Sequence, residues 1–494
     1  MFAVTETPRP NLPPTPFNMA RYVLEAGHAT PDKIALQVLR ASGAERWSYA
    51  RLIAAVRGTA TGLLRNGLVP GDRVLLRLGN SVDFPVAYLG AIAAGLVPVP
   101  TSTQLTVPEI TRITQEIAPA LVLAGEGVAL PDHPAPVLAQ AALRAMQDLP
   151  PADWHMGSPD RAGYIIYTSG SGGSPRAVVH AHRAIWARRM MWAGWYGLGP
   201  DDRMLHAGAF NWTYTLGTGL MDPWAIGATA LIPEQGAPLA LMLKRFDATI
   251  FAAVPGVYRQ MLKDGGKLDL PRLRHGLSAG EKLPDATRAA WHAATGCEIY
   301  EALGMSECST YVSASPARPA PPGAAGYPQE GRLLAVLDEA GQPALRGAEG
   351  MLAIHRSDPG LMLGYLDGGA PVLPLQGDWF LTGDRAQMAE DGALSYLGRN
   401  DDMMNAGGFR VSPLEVERAL SEHPAIQDVA CTEVTVREGV SVIAAFYTAP
   451  APLPEAELTD YAAARLARYK QPRLYCHVES LPRGPNGKLS RRAL

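Results

Sequence analysis

The segment YIIYTSGSGGSPR, residues 164–176, is the most informative stretch of the sequence. An apolar run rich in β-branched residues, typical of a strand, turns abruptly into glycines and hydroxyls and ends on a proline and Arg176. Glycines let main-chain N–H groups approach a ligand closely, and the hydroxyls add further donors. The segment predicts a loop that binds the phosphates of a nucleotide, although in isolation a flexible Gly/Ser turn would explain it equally well. It is not a Walker P-loop, because the pattern G-x-x-x-x-G-K-[ST] is absent.

Four further motifs follow this loop in order. They are LGMSE (303–307), TGD (382–384), GRNDD (398–402) and PRGPNGK (482–488). Together with the loop they resemble the adenylate-forming superfamily, which contains acyl-CoA synthetases, peptide-synthetase adenylation domains and luciferases. Within it, LSAGEKLP (277–284) and LGTGL (216–220) look most like segments of benzoate-CoA ligases and related aryl- and acyl-CoA ligases. The resemblance covers nearly the whole chain.

Length and composition agree with a globular protein of more than one domain. The chain has 494 residues, 47% of them hydrophobic, and a net charge of −3, which gives no general electrostatic case for nucleic acid or an anionic membrane. The four cysteines have no C-x-x-C spacing and indicate free thiols in a reducing compartment. No secretory signal and no apolar run of about 20 residues is found, so we expect a cytoplasmic protein.

The fold class expected is α/β. Strand-like segments alternate with helix-like ones, as in 73–78 followed by 81–96, and this alternation predicts parallel strands packed against helices. The resemblance implies a large multi-layer N-terminal domain, residues 1–399, with parallel-rich sheets and a small β-barrel-like subdomain. It also implies a small, mobile α+β C-terminal domain, residues 400–494, that carries the catalytic lysine. Ser412 and Pro413 predict the start of a helix in that domain.

The activity that the resemblance implies is that of an ATP-dependent acid:CoA ligase using ATP, Mg²⁺ and coenzyme A. A carboxylic acid, aryl or a small cyclic or aliphatic one, would be activated as acyl-AMP with release of pyrophosphate and then transferred to a thiol. Two alternatives stay open: an enzyme that loads the phosphopantetheine of a carrier protein, and a non-catalytic relative that binds nucleotide or acyl-AMP. A homodimer is one further open possibility.

The resemblance also assigns roles at the nucleotide site. Glu307 would bind Mg²⁺, Asp384 the ribose hydroxyls, and Arg399 the ribose or α-phosphate. Residues that would contact phosphates or flank adenine are Thr168, Ser169, Gly170, Ser171, Gly172, Gly173, Arg176, Gly280, Glu281, Lys282, Tyr300, Glu301, Gly304 and Ser306. Relatives usually carry Thr, Lys, Gly and Lys where this chain has Gly172, Arg176, Ala177 and Asn405. We interpret these departures as retuning of the site.

The same resemblance places Lys488 between the acid and the α-phosphate, makes Asp401 the hinge, and lets Gly408 admit the pantetheine arm of the thiol. The acid pocket would be formed by Phe210, Trp212, Tyr214, Gly217, Ala279, Thr310 and Tyr311, although aromatic residues are equally often core residues. The pair His180 and His182 is expected to be structural. The pairs Arg188–Arg189 and Arg491–Arg492 are expected to be solvated.

Overall fold

The computed structural model describes residues 1–6, 11–168, 175–263, 265–400, 402–406, 409–437, 440–466, 468–484 and 489–494. Its α-helices are α1 (Met19–Leu24), α2 (Tyr49–Arg65), α3 (Asp83–Ala93), α4 (Val107–Ile117), α5 (Gln140–Met146), α6 (Ala184–Ala187), α7 (Asp222–Ala225), α8 (Leu239–Arg245), α9 (Pro255–Leu262), α10 (Asp285–Thr295), α11 (Pro413–Ser421) and α12 (Glu455–Ala463). Wider π-helical turns cover Trp192–Tyr196 and Thr215–Met221, and 3₁₀ turns cover Glu25–Ala29, Arg468–Lys470 and Arg491–Ala493. In the part of the chain so described, no helix combines the length and apolar character that a membrane crossing requires.

The strands of the first two-thirds of the chain are β1 (Ile34–Arg40), β2 (Gly43–Ser48), β3 (Arg73–Arg77), β4 (Val97–Pro100), β5 (Leu121–Ala124), β6 (Val137–Ala139), β7 (Ala162–Thr168), β8 (Arg176–Ala181), β9 (Arg203–His206), β10 (Thr229–Pro233), β11 (Ile250–Ala253), β12 (His275–Ala279), β13 (Ile299–Met305), β14 (Ser309–Ser313) and β15 (Tyr327–Pro328). Those of the last third are β16 (Leu334–Leu337), β17 (Glu349–His355), β18 (Gly364–Asp367), β19 (Ala370–Val372), β20 (Trp379–Met388), β21 (Leu394–Arg399), β22 (Met404–Ala406), β23 (Phe409–Val411), β24 (Asp428–Arg437), β25 (Val440–Thr448) and β26 (Leu474–His477).

The largest sheet among the described residues has nine strands, in the order β15-β14-β13-β12-β11-β9-β10-β1-β2. Its six central strands, from β13 to β1, pair in parallel. Strands such as β11 and β12 are buried along their whole length, as expected of parallel strands covered on both faces. Because parallel strands end at the same edge, the carboxyl ends of β9, β11, β12 and β13 lie together. Ligands of open α/β sheets bind at this edge.

Two four-stranded sheets complete the α/β part of the molecule. One is parallel, in the order β4-β3-β5-β6, and the other has the order β19-β18-β8-β7. Helix α3 is buried at every position, and apart from Asp83, which pairs with Arg144 at 2.8 Å, its sequence is largely apolar. Strands β7 and β8 form an antiparallel hairpin in which Thr168 pairs with Arg176. Residues 164–176, with which the sequence analysis began, therefore start inside β7 and end on the first residue of β8.

The region after about residue 324 contains the short strands expected of the β-barrel-like subdomain. Strands β16, β17, β20 and β21 form an antiparallel sheet, and β20 alternates strictly between half-buried and buried residues. That alternation is typical of a sheet packed on one face only. The pairing of β20 with β21 places Asp384 opposite Arg399.

The last part of the chain has its own small core. Strands β24, β25 and β26 form one sheet, and buried residues of α11 and α12, among them Val416 and Leu458, pack on it. Helix α11 begins at Pro413, as predicted. The hydroxyl of Ser412 does not cap it, because it donates to the Leu397 carbonyl of β21. This bond ties the start of α11 to the preceding antiparallel sheet.

Candidate active site

One large cavity lies at the carboxyl edge of the nine-stranded sheet. Its volume is about 850 Å³, and its walls come from that sheet, the antiparallel sheet, Gly484 and residues 489–491. It gathers residues that are far apart in the sequence, from Thr168 to Arg491. The predicted nucleotide-site residues that line it are Thr168, Arg176, Gly280, Glu281, Lys282, Glu301, Gly304, Ser306, Glu307, Asp384 and Arg399.

Some predicted residues do not line this cavity or cannot be placed. Tyr300 is not among the lining residues; its carbonyl instead accepts a hydrogen bond from the Trp195 indole. The acid-pocket set also lies outside the lining. Ser169, Gly170, Ser171, Gly172, Gly173, Asp401, Gly408 and Lys488 fall outside the described residues. Their roles therefore stay predictions.

Glu307 is a buried carboxylate that faces Arg176, the first residue of β8. Its Oε1 accepts a 2.7 Å hydrogen bond from the Tyr365 hydroxyl and lies 3.9 Å from Nη2 of Arg176. The Arg176 guanidinium stacks 3.9 Å above the Tyr365 ring, which fixes its direction. Burial and the Glu307 charge raise the pKa of the Tyr365 phenol. The phenol therefore stays protonated and donates a hydrogen bond to Glu307. The arrangement places one anion and one cation side by side at the cavity wall.

Asp384 and Arg399 form the second charged pair of the cavity. Their side chains are 3.1 Å apart, and the same Arg399 nitrogen donates to the Thr382 carbonyl at 3.0 Å. The backbone N–H of Asp384 donates to the Thr382 hydroxyl at 3.1 Å. Gly383 has φ of +78°, and a Cβ there would contact the Arg399 guanidinium. Glycine at this position therefore lets Arg399 lie across the turn and hold the carboxylate.

A third group of charges surrounds Glu301 on the side of the cavity formed by β12 and β13. Glu301 accepts from the Leu283 N–H at 2.9 Å and from Arg288 at 3.2 Å. Burial raises the pKa of its carboxyl in spite of these two donors. The Leu283 contact fixes the loop after Gly280, which has φ of +97°. Glu301 thus holds the segment 280–283 in place. The sequence resemblance assigns residues of this segment to the adenine.

The last residues of the chain also reach the cavity. Gly484, Leu489, Ser490 and Arg491 line it. Arg491 is not a solvated residue, contrary to expectation: it donates to Glu417 at 2.7 Å and lies 3.8 Å from Asp402. Burial opposes its charge, but these carboxylates outweigh burial and raise the pKa of Arg491.

The predicted acid-pocket residues lie beside the cavity, around the π-helical turn Thr215–Met221. The Tyr214 hydroxyl donates to the Leu277 carbonyl at 3.2 Å, and the Thr310 hydroxyl contacts the Met191 sulfur at 3.1 Å. Phe210 is a core residue that packs against Phe84 at 5.3 Å between ring centroids. Ala279 and Tyr311 are buried, whereas Trp212 is only half-buried.

Comparison with known proteins decides the family. The model of the AMP-binding enzyme family matches residues 23–366, and that of the AMP-binding enzyme C-terminal domain matches residues 415–488. The chain belongs to the AMP-binding enzyme family. It is 30% identical to the benzoate–CoA ligase of Thauera aromatica, over 95% of this chain and 91% of that protein.

Solved structures agree with this assignment. The anthranilate CoA ligase AuaEII, crystallised with anthranoyl-AMP, superimposes with a TM-score of 0.86 at 26% identity, covering 97% of each chain. A benzoate CoA ligase from Burkholderia xenovorans LB400 gives a TM-score of 0.84 at 28% identity, covering 97% of this chain and 99% of the other. The predicted family, fold class and enzyme class are confirmed. A CoA ligase is favoured over a carrier-loading or a non-catalytic relative of the AMP-binding enzymes.

Sequence reasoning missed several residues of this AMP-binding enzyme's cavity. Tyr365 supports both Glu307 and Arg176, and Arg288 supports Glu301. No motif marks either residue, because each acts on a partner that is close in space and that the local sequence does not indicate. Arg491 had been noticed, but only as one of two adjacent arginines.

His180 and His182 are structural, as expected. His180 donates from Nε2 to the Ser306 carbonyl at 2.7 Å and stacks on Tyr164, and His182 accepts the Met19 N–H at 3.0 Å. Burial lowers the pKa of His180 to about 4 and that of His182 to about 3. His206 and His275 are likewise buried, with pKa values lowered to about 3 and about 4. All four imidazoles are neutral at neutral pH.

These histidines predict that acidification destabilises the fold. Below the unfolded pKa of about 6.5 the unfolded chain binds protons that the native state does not bind, so the unfolding free energy falls as the pH falls. Each buried histidine contributes up to about 1.4 kcal/mol per pH unit. Urea unfolding followed by tryptophan fluorescence should give a clearly lower midpoint at pH 5.5 than at pH 7. An equal midpoint at the two pH values would contradict neutral burial of these residues.

Proposed function

We propose that this protein is an ATP-dependent acid:CoA ligase that acts on an aryl or other compact carboxylic acid. The observation that carries the proposal is the cavity that brings Thr168 and Arg176 together with Glu307, Asp384 and Arg399. A carboxylate oxygen of the acid attacks the α-phosphorus of ATP and pyrophosphate leaves, giving acyl-AMP. The thiol sulfur of CoA then attacks the acyl carbon, AMP leaves, and the thiol proton passes to solvent.

The first half-reaction joins two anions, so it needs cations and aligned donors more than it needs a base. Arg176 supplies a fixed positive charge at the end of the phosphate-loop hairpin. The Thr168 hydroxyl is buried without a partner in the described part of the chain, and it lines the cavity. We assign it to a phosphate oxygen. Asp384, held by Arg399, has the two acceptor oxygens that ribose hydroxyls require.

The residues present fit Mg²⁺ through Glu307. Mg²⁺ typically takes one or two protein carboxylates and completes its shell with water and substrate phosphates. Within the described ranges no cluster of three His, Cys, Asp or Glu residues could hold a metal alone, which agrees with a site shared with phosphate. The Tyr365 and Arg176 contacts both involve Oε1 of Glu307, which leaves Oε2 for the ion. When bound, Mg²⁺ neutralises phosphate charge.

We assign two roles to the small C-terminal domain: it carries the catalytic Lys488, and it admits the incoming thiol beside Gly408. We place its boundary between residues 399 and 400 and its hinge at Asp401. Ion pairs that link it to the rest of the molecule include Arg483 with Glu281 at 3.7 Å and Arg418 with Asp285 at 3.8 Å. Exposed pairs such as the second contribute only about 0–1 kcal/mol, so they permit rotation of the domain. The cytoplasmic location and a homodimer stay predictions.

ATP–pyrophosphate exchange tests the first half-reaction. Incubation with labelled pyrophosphate, ATP, Mg²⁺ and single acids should give exchange with at least one aryl or compact acid. Adding CoA should then yield the acyl-CoA, identified by mass spectrometry. A phosphopantetheinylated carrier protein offered in place of CoA separates the two thiol acceptors. Exchange with none of the acids would contradict the proposal, and transfer to carrier protein alone would favour the carrier-loading alternative.

A further inference from the structure

A buried ion pair lies next to the predicted acid pocket. Arg188 donates to Asp222 through Nη2 at 2.6 Å and through Nε at 2.9 Å, and their side chains are only 5% and 1% exposed. The sequence predicted a solvated Arg188, and that prediction is wrong. The Tyr196 hydroxyl joins the pair by donating to Asp222 at 2.7 Å.

The geometry is that of an ion pair with a net charge of zero, because two guanidinium nitrogens and the Tyr196 hydroxyl donate to the carboxylate. Burial raises the pKa of Asp222, and these donors oppose that shift. Burial opposes the charge on Arg188, but the Asp222 carboxylate outweighs burial and holds the pKa of Arg188 above its usual value. A buried ion pair is a poor source of stability, because apolar residues of similar volume often serve as well or better. The pair therefore invites a functional explanation.

The pair contacts residues assigned to the acid pocket. A Cβ at Gly217 would overlap the Arg188 guanidinium, so glycine at this position makes room for it. Nη1 of Arg188 donates to the hydroxyl of Ser309, which adjoins Thr310. The Met191 sulfur lies between Tyr196 and Thr310: it accepts from the Thr310 hydroxyl at 3.1 Å and is 3.2 Å from the Tyr196 oxygen. The guanidinium thus lies behind Gly217 and next to the Ser309–Thr310 segment.

His206 is a second polar group in the same region. It is 1% exposed, and neither ring nitrogen has a hydrogen-bond partner in the portion of the chain that the structure describes. Its ring packs edge-on against Tyr214 at 4.4 Å between centroids, and a Cβ at Gly219 would contact it. His180, His182 and His275 each have one hydrogen-bonded ring nitrogen, whereas His206 has none among the described residues, and this calls for an explanation such as a bound ligand. The neutral imidazole offers that ligand one donor and one acceptor.

We propose that the acid pocket selects an acid carrying a neutral hydrogen-bonding substituent, such as a hydroxyl group, away from its carboxyl group. His206 and the Arg188–Asp222 pair are the specificity-determining residues, and the inference rests on the ligase activity proposed above. A second carboxylate is disfavoured, because Asp222 already neutralises Arg188 and a further buried anion would lack compensation. A long alkyl chain is disfavoured, because the guanidinium fills the space behind Gly217.

The test compares kcat/KM for ATP–pyrophosphate exchange across benzoate, its three monohydroxy derivatives, isophthalate and octanoate. In the unmodified protein at least one hydroxybenzoate should exceed benzoate, isophthalate and octanoate by about 10-fold or more, the range that a few specific contacts give. His206→Phe, and separately the double change Arg188→Met with Asp222→Leu, should reduce that ratio to about 2-fold, mainly through KM. The ratio compares kcat/KM for two acids on the same protein. A partial loss of active protein therefore lowers both values equally and leaves the ratio unchanged. His423→Phe changes a buried histidine of the small domain, which contacts Glu457 and Tyr461, and should keep the original ratio.

The outcomes separate this inference from the activity itself. Equal kcat/KM for benzoate and every hydroxybenzoate, or a preference for isophthalate or octanoate, overturns the inference while supporting the ligase. A ratio that survives in both altered proteins also overturns it. Exchange with none of the six acids counts against the ligase activity instead, after a wider acid panel has been tried. Should the double variant fail to fold, His206→Phe and the unmodified protein still decide the question.

Discussion

Lys488→Ala should slow acyl-adenylate formation by about 10²–10³-fold, the usual cost of removing one preorganised group that stabilises transition-state charge. The acid and the α-phosphate are both anions, and a compact ammonium on a flexible stem can lie between them. Lys488 itself is outside the described residues, but Gly484 and Leu489, which bracket its segment, line the nucleotide cavity. Pyrophosphate exchange with a reactive acid measures the effect.

The second half-reaction provides the internal comparison. Thioester formation from pre-made acyl-AMP and CoA should be partly retained in Lys488→Ala, because the lysine acts only before pyrophosphate leaves. Lys470→Ala is the matched control: this lysine lies in the same small domain and pairs with Glu415 instead. Equal losses in both half-reactions, or no loss in either, would show that the role assigned to Lys488 is wrong.

That the residues assigned to the nucleotide lie together could be predicted from sequence, because they sit in short motifs at element ends. The Asp384–Arg399 contact illustrates this: both residues belong to motifs, and the β20–β21 register brings them together. The segment 164–176 is similar, since its strand-like start forms β7 and Arg176 begins β8 of the same hairpin. Local pattern and tertiary position agree in both cases.

The surroundings of the acid pocket could not be predicted in the same way. Arg188 is followed by a second arginine, and Asp222 is 34 positions away, so nothing local distinguishes a buried pair from two solvated charges. Residues 215–225 form a wide π-helical turn followed by α7, and the glycines of the turn admit side chains from other elements. These side chains meet the glycines only once the strands and turns have assembled, so the local sequence does not predict the contacts.

Ser412 shows the same limit on a smaller scale. A serine before proline predicts an N-cap, and the helix does begin there. The hydroxyl nevertheless donates to the Leu397 carbonyl of a neighbouring strand. A local preference thus gave the correct helix boundary and the wrong hydrogen bond, because a tertiary acceptor competed with the backbone of the helix.

Glu307→Gln should lower the rate of adenylation by about 100-fold and raise the Mg²⁺ concentration needed for half-maximal rate. Glutamine has nearly the same volume, and its carbonyl can still accept the Tyr365 hydrogen bond, so the cavity wall should keep its shape. What is lost is the negative charge of a hard oxygen ligand, on which Mg²⁺ depends. Exchange rates measured across a Mg²⁺ titration at saturating ATP give both quantities.

Glu301→Gln is the matched control for this experiment. Glu301 is an equally buried carboxylate in the same cavity, but it accepts from the Leu283 N–H and Arg288 and lies on the side assigned to the adenine. Its replacement should affect the KM for ATP and leave the Mg²⁺ midpoint unchanged. An unchanged Mg²⁺ midpoint in Glu307→Gln, or an equal shift in both proteins, would mean that Glu307 balances the charge of Arg176 and does not bind the ion.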